Sequence, residues 1–368
     1  MSIQRDQRVV MTLDAGGTSF RFAAMRAGRF VTDTITVPSC ADNLDRCLAS
    51  IVEGFTRVKA ACPAAPSAIS FAFPGPADYP SGIIGDLGNL PAFRGGIALG
   101  PMLKKKFRVP VFINNDGDLF AYGEAIAGFL PYVNDLLKKA GSPKRYRNLL
   151  GITLGTGFGG GIVRDGELFV GDNSIAGEVW LLRNKLNPQM NAEEGASIRA
   201  VRRVYAEQAG ITAAEAPEPK DIALIGQGRA RGDKAAAREA FRQLGEVVGD
   251  GLAQALTLLD GLAVIGGGIS GAAPLFLPAV VDELNGTYTK PDGTKFPRLA
   301  SRAFNLENAG DRNKFLRGKV REVTVPGTKT TLKYDSLPRI GVGLSRLGTS
   351  QAIAVGACAF ALRALDEA

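Results

Sequence analysis

Four short constellations in this chain combine residue types able to do chemistry. The first is Asp14-Ala15-Gly16-Gly17-Thr18, which follows the apolar run 9–13. Two glycines let the backbone turn sharply, so that N–H groups around Gly16 and Gly17, with the Thr18 hydroxyl, can face a phosphate. Asp14 is the residue type that holds a hydrated Mg²⁺, an ion that keeps several waters and takes one or two carboxylates. An ordinary Gly-Gly hairpin turn is the competing reading.

The second is Gly155-Thr156-Gly157-Phe158-Gly159-Gly160-Gly161. It parses as GxGxxG with Glu178 downstream, imitating a dinucleotide fingerprint. That fingerprint must open a helix, whereas Gly161-Ile162-Val163-Arg164 reads as a strand. A strand–turn–strand loop rich in glycine suits the terminal phosphates of a nucleotide, gripped by the amides of Gly155 and Gly157 and by Thr156; a tight bulged hairpin is the plainer alternative. The third is Asn114-Asn115-Asp116, where a strand candidate meets a helix candidate. A carboxylate there can take a proton from an attacking hydroxyl, or simply cap the helix. The fourth is Val264-Ile265-Gly266-Gly267-Gly268, where Gly266, Gly267 and Gly268 leave room for adenosine or phosphate, or for close strand–helix packing. No GxxxxGK[ST] sequence is present, which excludes P-loop chemistry. The chain contains 0 His, which excludes a histidine base, a histidine metal ligand and a Ser-His-Asp triad. Acid–base work falls to Asp, Glu, Lys, Tyr or Cys.

The elements that must position these residues follow from periodicity. Short apolar runs at 9–13, 20–25 and 30–37, separated by Gly-containing turns, read as an antiparallel meander. Leu44, Cys47, Leu48, Ile51, Val52, Phe55 and Val58 recur at helical spacing, with Asp42 as N-cap. Strands are expected at 69–73 and 110–113, and a helix carries Leu119, Phe120, Ala125, Ile126 and Phe129. Residues 130–148 are polar and basic and read as an interdomain linker. The pattern then restarts with a strand at 149–154, a glycine turn at 155–161, and strands at 161–163 and 167–170. Helices are expected at 194–209, 234–258, 271–285 and about 350–365, a strand at 262–265, and a hairpin at 320–334 around Pro326-Gly327. Strands alternating with helices in both halves, each half opening alike, argue for a duplicated α/β architecture.

Composition narrows the class. A chain of 368 residues suggests two domains, at about 100–200 residues each. No apolar run approaches the roughly 20 residues of a membrane span, and the first residues lack the apolar stretch of a secretory signal, so a cytoplasmic protein is expected. Cysteines at 40, 47, 62 and 358 form no CxxC pair. The net charge of +8 is scattered; its one cluster, Lys104-Lys105-Lys106, reads as a solvated face.

Taken together and in this order, the motifs resemble the ROK family of sugar kinases and sugar-responsive repressors, within the actin-like ATPase superfamily. The resemblance spans nearly the whole chain: Asp14-x-Gly-Gly-Thr18-x-x-Arg21, Pro74-Gly75-Pro76 with Asn89-Leu90-Pro91, Asn115-Asp116 with Gly123-Glu124, the loop 154–161, Ala176-Gly177-Glu178, Glu193 with Ser197, Gly266-Gly267-Gly268, and Gly356-Ala357. It implies an α/β fold of two actin-like (ribonuclease H-like) domains flanking a central cleft that holds ATP and a sugar. Residues 1–130 would form the sugar-side domain and 131–368 the nucleotide-side domain, with the last helix packing back on the first. The resemblance makes Asp116 the general base, Asn115, Glu178 and Glu193 sugar ligands, and Asn89 part of the loop before the sugar pocket. Thr18, Thr156 and Gly267 become nucleotide contacts, and Asp14 a Mg²⁺ ligand through water. It implies MgATP and a hexose, ketohexose or amino-sugar as substrates, a homodimer, and neither nucleic acid nor membrane as partner.

Two departures stand out. The family's histidine after Ala-Gly-Glu is replaced by Leu181, and no cysteine lies between Glu178 and Glu193, so no structural zinc is expected. Loss of an imidazole changes which hydroxyl pattern the pocket rewards. Trp180, the sole tryptophan, reads either as core or as a platform for a sugar face. The expected activity is therefore ATP-dependent sugar phosphorylation, with a catalytically degenerate sugar- or nucleotide-binding protein as the alternative. A repressor would need an N-terminal DNA-binding domain, for which a first strand near residue 9 leaves no room. Residues 287–335 exceed the family pattern and read as a surface hairpin.

Overall fold

Short β-branched and aromatic runs build two sheets of like connectivity in the computed structural model, which describes residues 3–88 and 90–367. The chain divides into two compact units. The first comprises the chain up to Gly128, Leu168–Ala176, and everything from Leu347 onward; the second comprises Phe129–Glu167 and Gly177–Arg346. Residues 168–176, read from sequence as part of the second domain, thus belong to the first unit.

In the first unit, β1 (Val9–Ala15) runs antiparallel to β2 (Ser19–Arg26), which pairs with the short β3 (Arg29–Phe30) and β4 (Ile35–Pro38). The single strand expected over 30–37 is therefore two pieces. Helix α1 (Leu44–Ala61) leads to β5 (Pro66–Ala72), and α2 (Leu99–Phe107) to β6 (Val111–Asn114) and α3 (Asp116–Ile126). Strands β1, β5 and β6 are mutually parallel neighbours, so their carboxyl ends lie along one edge of the sheet. Helix α1 buries Cys47, Ile51, Phe55 and Val58 on one stripe, and Phe55 meets Phe22 edge-on at 4.9 Å between centroids. Its N-cap is Asn43, which accepts from the Arg46 N–H, rather than Asp42.

Helix α3 is buried from Gly117 to Ala125, with the C-terminal helix (Thr349–Glu367) packed against it. Two glycines permit that approach. A side chain at Gly123 would overlap the Ala352 carbonyl, and one at Gly356 the Leu119 carbonyl. The notch fixes α3, and with it the residues at its N-terminus. Buried Glu124 accepts the Leu347 N–H at 3.1 Å, tying the end of α3 to the start of the C-terminal segment.

In the second unit, α4 (Phe129–Lys139) occupies the stretch read as a linker. Phe129, Val133 and Leu137 are buried at i, i+4, i+8, and the basic residues that masked this stripe lie on the exposed face. β7 (Leu149–Leu154) and β8 (Phe158–Arg164) form an antiparallel hairpin. Helices α5 (Ile198–Ala209), α6 (Pro219–Gly226) and α7 (Lys234–Leu259) precede β9 (Leu262–Gly266) and α8 (Ala273–Leu284). β10 (Arg302–Asn305), α9 (Ala309–Arg317) and β11 (Arg339–Leu344) complete the α/β core, with the strand path β8-β7-β9-β11-β10. β7, β9 and β11 are parallel, so again the carboxyl ends share an edge.

The 287–335 segment holds two hairpins, Thr287–Thr289 with Lys295–Pro297 and Val320–Thr324 with Thr331–Asp335, as well as β10 and α9. Buried Arg339 anchors the second hairpin, bonding Asp335 at 2.5 Å and the Phe315 carbonyl at 2.6 Å. Among the described residues, no helix is long and apolar enough to cross a membrane.

Candidate active site

The carboxyl edge of the first sheet carries Asp14, at the penultimate position of β1, and Asn115-Asp116, just past β6. Asn115, not Asp116, caps α3: its side chain accepts the Gly117 N–H at 2.8 Å. Asp116 is the first helical residue, and its Oδ1 also receives the Gly117 N–H, at 2.9 Å. Its side chain is open to solvent but crowded by protein on other sides. That desolvation raises its pKa above the ordinary carboxylate value; the Gly117 amide opposes the shift, and the negative charge of Asp14 adds to it. A carboxylate so placed is a better base than a surface aspartate.

Asp14 is exposed and has no hydrogen-bond or ion-pair partner among the described residues, so its oxygens are available to a hydrated cation. The turn beyond it is closed by Gly16 N–H donating to Ser19 O at 3.1 Å, and a Cβ at Gly16 would meet that oxygen at 2.8 Å. Buried Ser39 braces the turn from behind, its hydroxyl donating to Gly17 O at 2.6 Å and its N–H to Thr18 O at 3.1 Å. Thr18 stays exposed.

The second sheet's edge carries the other two motifs. Only Gly155-Thr156-Gly157 is turn, with Gly155 N–H donating to Gly157 O at 3.0 Å; Phe158–Gly161 already belong to β8. The expected seven-residue glycine turn is thus shorter, and its later glycines serve packing. A side chain at Gly160 would overlap the Gly177 carbonyl, and one at Gly159 would meet Thr153 Oγ1 at 2.6 Å. Gly267, at φ 88°, crosses so close to Leu154 that no side chain fits. Gly155 and Gly268 differ: neither has a positive φ, and nothing lies within 4 Å of an added Cβ. The chain's own packing does not require glycine there, and a ligand approaching the backbone would.

Glu193 lies behind this turn. Its Oε2 accepts the Phe158 N–H at 3.0 Å and its Oε1 accepts from Arg199 at 2.7 Å. Glu178 accepts the Trp180 indole N–H. Trp180 is half-buried and packs on the core of the second unit, as its core reading expects. Leu181 is 59% exposed. The loop 182–192, where the resemblance would place zinc-binding cysteines, is closed by Asn184. That residue is 2% exposed; its Oδ1 accepts the N–H groups of Leu186 at 2.9 Å and Asn187 at 3.1 Å. Among the described residues, no three His, Cys, Asp or Glu side chains gather as for a metal ion. Asn89 lies outside the described residues. Sequence reasoning missed Arg199, Glu194 and Ser39. None sits in a glycine motif, and only the fold brings them to the turns. Burial pushes the thiols of Cys47 to about 11 and Cys358 to about 12, so neither is a ready nucleophile.

Two α/β units of like connectivity, each with glycine turns at the carboxyl edge of its sheet, make an actin-like ATPase fold. The chain belongs to the ROK family, whose sequence pattern matches residues 10–305. It is 30% identical to the N-acetyl-D-glucosamine kinase of Vibrio cholerae over 187 residues, which is 50% of this chain and 56% of that protein. The chain thus matches little more than half the length of that curated relative. The crystal structure of a glucokinase from Parabacteroides distasonis is 53% identical, covers 99% of both chains and superposes with a TM-score of 0.90. A ROK family glucokinase from Streptomyces griseus, solved with glucose and AMPPNP, shares the fold at a TM-score of 0.59 and 18% identity, covering 95% of this chain and 98% of its own.

Proposed function

We propose that this protein is an ATP-dependent sugar kinase that moves the γ-phosphoryl group of MgATP to a sugar hydroxyl. The observation that carries this reading is Asp116: a carboxylate in the first turn of α3, behind the Asn115 cap, raised in pKa, and sharing a sheet edge with the unpaired Asp14. Asp116 takes the proton of the sugar hydroxyl. The freed oxygen attacks the γ-phosphorus, the bond to the β-phosphate oxygen breaks, and ADP leaves. Such a transfer needs positioning and charge stabilisation more than covalent help. Magnesium, when bound, screens the phosphate charge and orients the phosphates; Asp14 is the residue to hold it, through water. Asn115, Glu178 and Glu193 are the residues assigned to sugar hydroxyls. The backbone of 16–18, 155–157 and 266–268, with Thr18 and Thr156, takes the nucleotide. The open space over Gly155 and Gly268 supports that assignment.

The acceptor is a hexose or N-acetylated hexosamine, glucose first, because the 53%-identical relative of matching length is named a glucokinase. Exposed Leu181 offers no hydrogen bond to a hydroxyl, which sets this pocket apart from one with an imidazole. The reading puts the enzyme in the cytoplasm with its MgATP, and the homodimer is what the resemblance to ROK kinases adds to it. ADP release from MgATP, measured across glucose, fructose, mannose, N-acetylglucosamine and N-acetylmannosamine, tests it. Sugar-dependent turnover is expected, falling about 10³-fold in Asp116→Asn. No turnover with any of these sugars, despite AMPPNP binding, would replace the kinase by a degenerate binding protein.

A further inference from the structure

We infer that Arg199 is a positioning residue that holds the Gly155–Phe158 turn in its nucleotide-binding shape, acting through Glu193. The inference rests on the kinase reading and extends it to residues in none of the glycine motifs. The turn is tied to the segment 193–199 at three backbone points. Ile198 N–H donates to Gly155 O at 2.8 Å, Arg199 Nη1 donates to Thr156 O at 3.1 Å, and Phe158 N–H donates to Glu193 Oε2 at 3.0 Å. Arg199 is common to two of these ties, because its Nη2 also holds Glu193 Oε1 at 2.7 Å.

The guanidinium is itself held from the solvent side. Glu194 Oε1 accepts from Nη2 at 2.6 Å and from Nε at 3.1 Å. Arg199 lowers the pKa of Glu194, and both glutamates raise that of Arg199. Only the planar fork of arginine can reach a carbonyl and two carboxylates in these directions; lysine has the charge without the fork.

The geometry also explains Gly157. A Cβ there would sit 2.6 Å from Glu193 Oε2, so the glycine leaves room for the carboxylate that fixes the turn. Glu193 therefore has a duty to the turn that is separate from any contact with sugar. A carboxylate has about four acceptor sites, so the two duties are compatible.

Titration of Mg-AMPPNP into wild type, Arg199→Ala, Arg199→Lys, Glu193→Gln and the Arg199→Ala/Glu193→Gln double variant tests this, with Tm recorded for each. Arg199 is half-exposed, so every variant should fold with a Tm near wild type. Arg199→Ala is expected to weaken AMPPNP about tenfold, the loss of one charge-assisted hydrogen bond. Arg199→Lys should recover only part of that. If Arg199 acts through Glu193, Glu193→Gln weakens AMPPNP although the arginine charge remains, and the double variant is no worse than the worse single one. If Arg199 acts as a bare cation on the phosphates, Arg199→Lys binds like wild type and Glu193→Gln binds more tightly; that result overturns the inference. Unchanged affinity in Arg199→Ala beside a tight wild type also overturns it and leaves the kinase standing. A wild type that does not bind AMPPNP removes the kinase reading, and this inference falls with it.

Discussion

The two glycine turns, one per unit, share a topology and differ in how they are fixed. Each links the first two strands of its sheet in an antiparallel hairpin, and each first strand has a parallel partner on its other side. The turn after Asp14 is braced by Ser39 through neutral hydrogen bonds to Gly17 and Thr18. Its outgoing strand carries Phe20 and Phe22, both fully buried. The turn after Leu154 is braced by charge, through Glu193 and Arg199, and its outgoing strand carries glycines because the Gly177–Val179 segment lies flat against it. One hairpin buries its second strand under aromatic rings; the other keeps that strand bare so that backbone can pack on backbone. The same chain path is thus held by neutral hydrogen bonds in one unit and by charge in the other.

Substitutions can break or sharpen this division. The largest effect is expected at the first edge. On the proposed reading, Asp116→Asn should lower kcat about 10³-fold while leaving AMPPNP affinity near wild type, because the base acts on the sugar hydroxyl and not on the nucleotide. Because the Asp116 pKa is raised, the ionised base is lost as pH falls, and the acid limb of kcat/KM should lie above the ordinary 3.8. A raised carboxylate pKa also means that the ionised form costs folding energy. Asp116→Asn should therefore be at least as stable as wild type at neutral pH, an advantage that disappears in acid. A Tm below wild type at pH 7 would count against that assignment.

Gly160→Ala comes next. Its methyl group would overlap the Gly177 carbonyl, which should cost about 1–3 kcal/mol in denaturant unfolding and weaken AMPPNP binding. The same unfolding free energy and affinity as wild type would refute the packing account of this strand. Trp180→Phe keeps the ring but removes the N–H that holds Glu178; the sugar KM should rise about fivefold at unchanged ATP KM, in line with one lost hydrogen bond. Smallest is Ser39→Ala, expected to cost about 1 kcal/mol of stability with little change in AMPPNP affinity. A larger loss of nucleotide binding there than in Arg199→Ala would invert the comparison.

Periodic elements were legible in the sequence. The stripe of α1, the long α7, and the hairpin at Val320–Thr324 and Thr331–Asp335 follow from local spacing and turn chemistry. Helix α4 was hidden by the basic residues on its exposed face, and α2, α6 and α9 are too short for a stripe to stand out. The glycine motifs were visible, but which glycine serves which purpose was not. Gly160 and Gly267 are glycine because distant backbone passes against them, whereas Gly155 and Gly268 face open space.

By itself, the amino-acid sequence determined the order of the longer strands and helices, the absence of any histidine chemistry, and the placing of Asp14 and Asp116 at or just past strand ends, since these depend on residue type and near spacing. Tertiary structure alone decided that Gly123 and Gly356 form the notch holding α3, and that Glu193 and Arg199 brace a turn some 35 residues earlier in the chain. Those outcomes depend on which groups meet across long loops, and hydrogen bonds and steric overlap act only at contact distance.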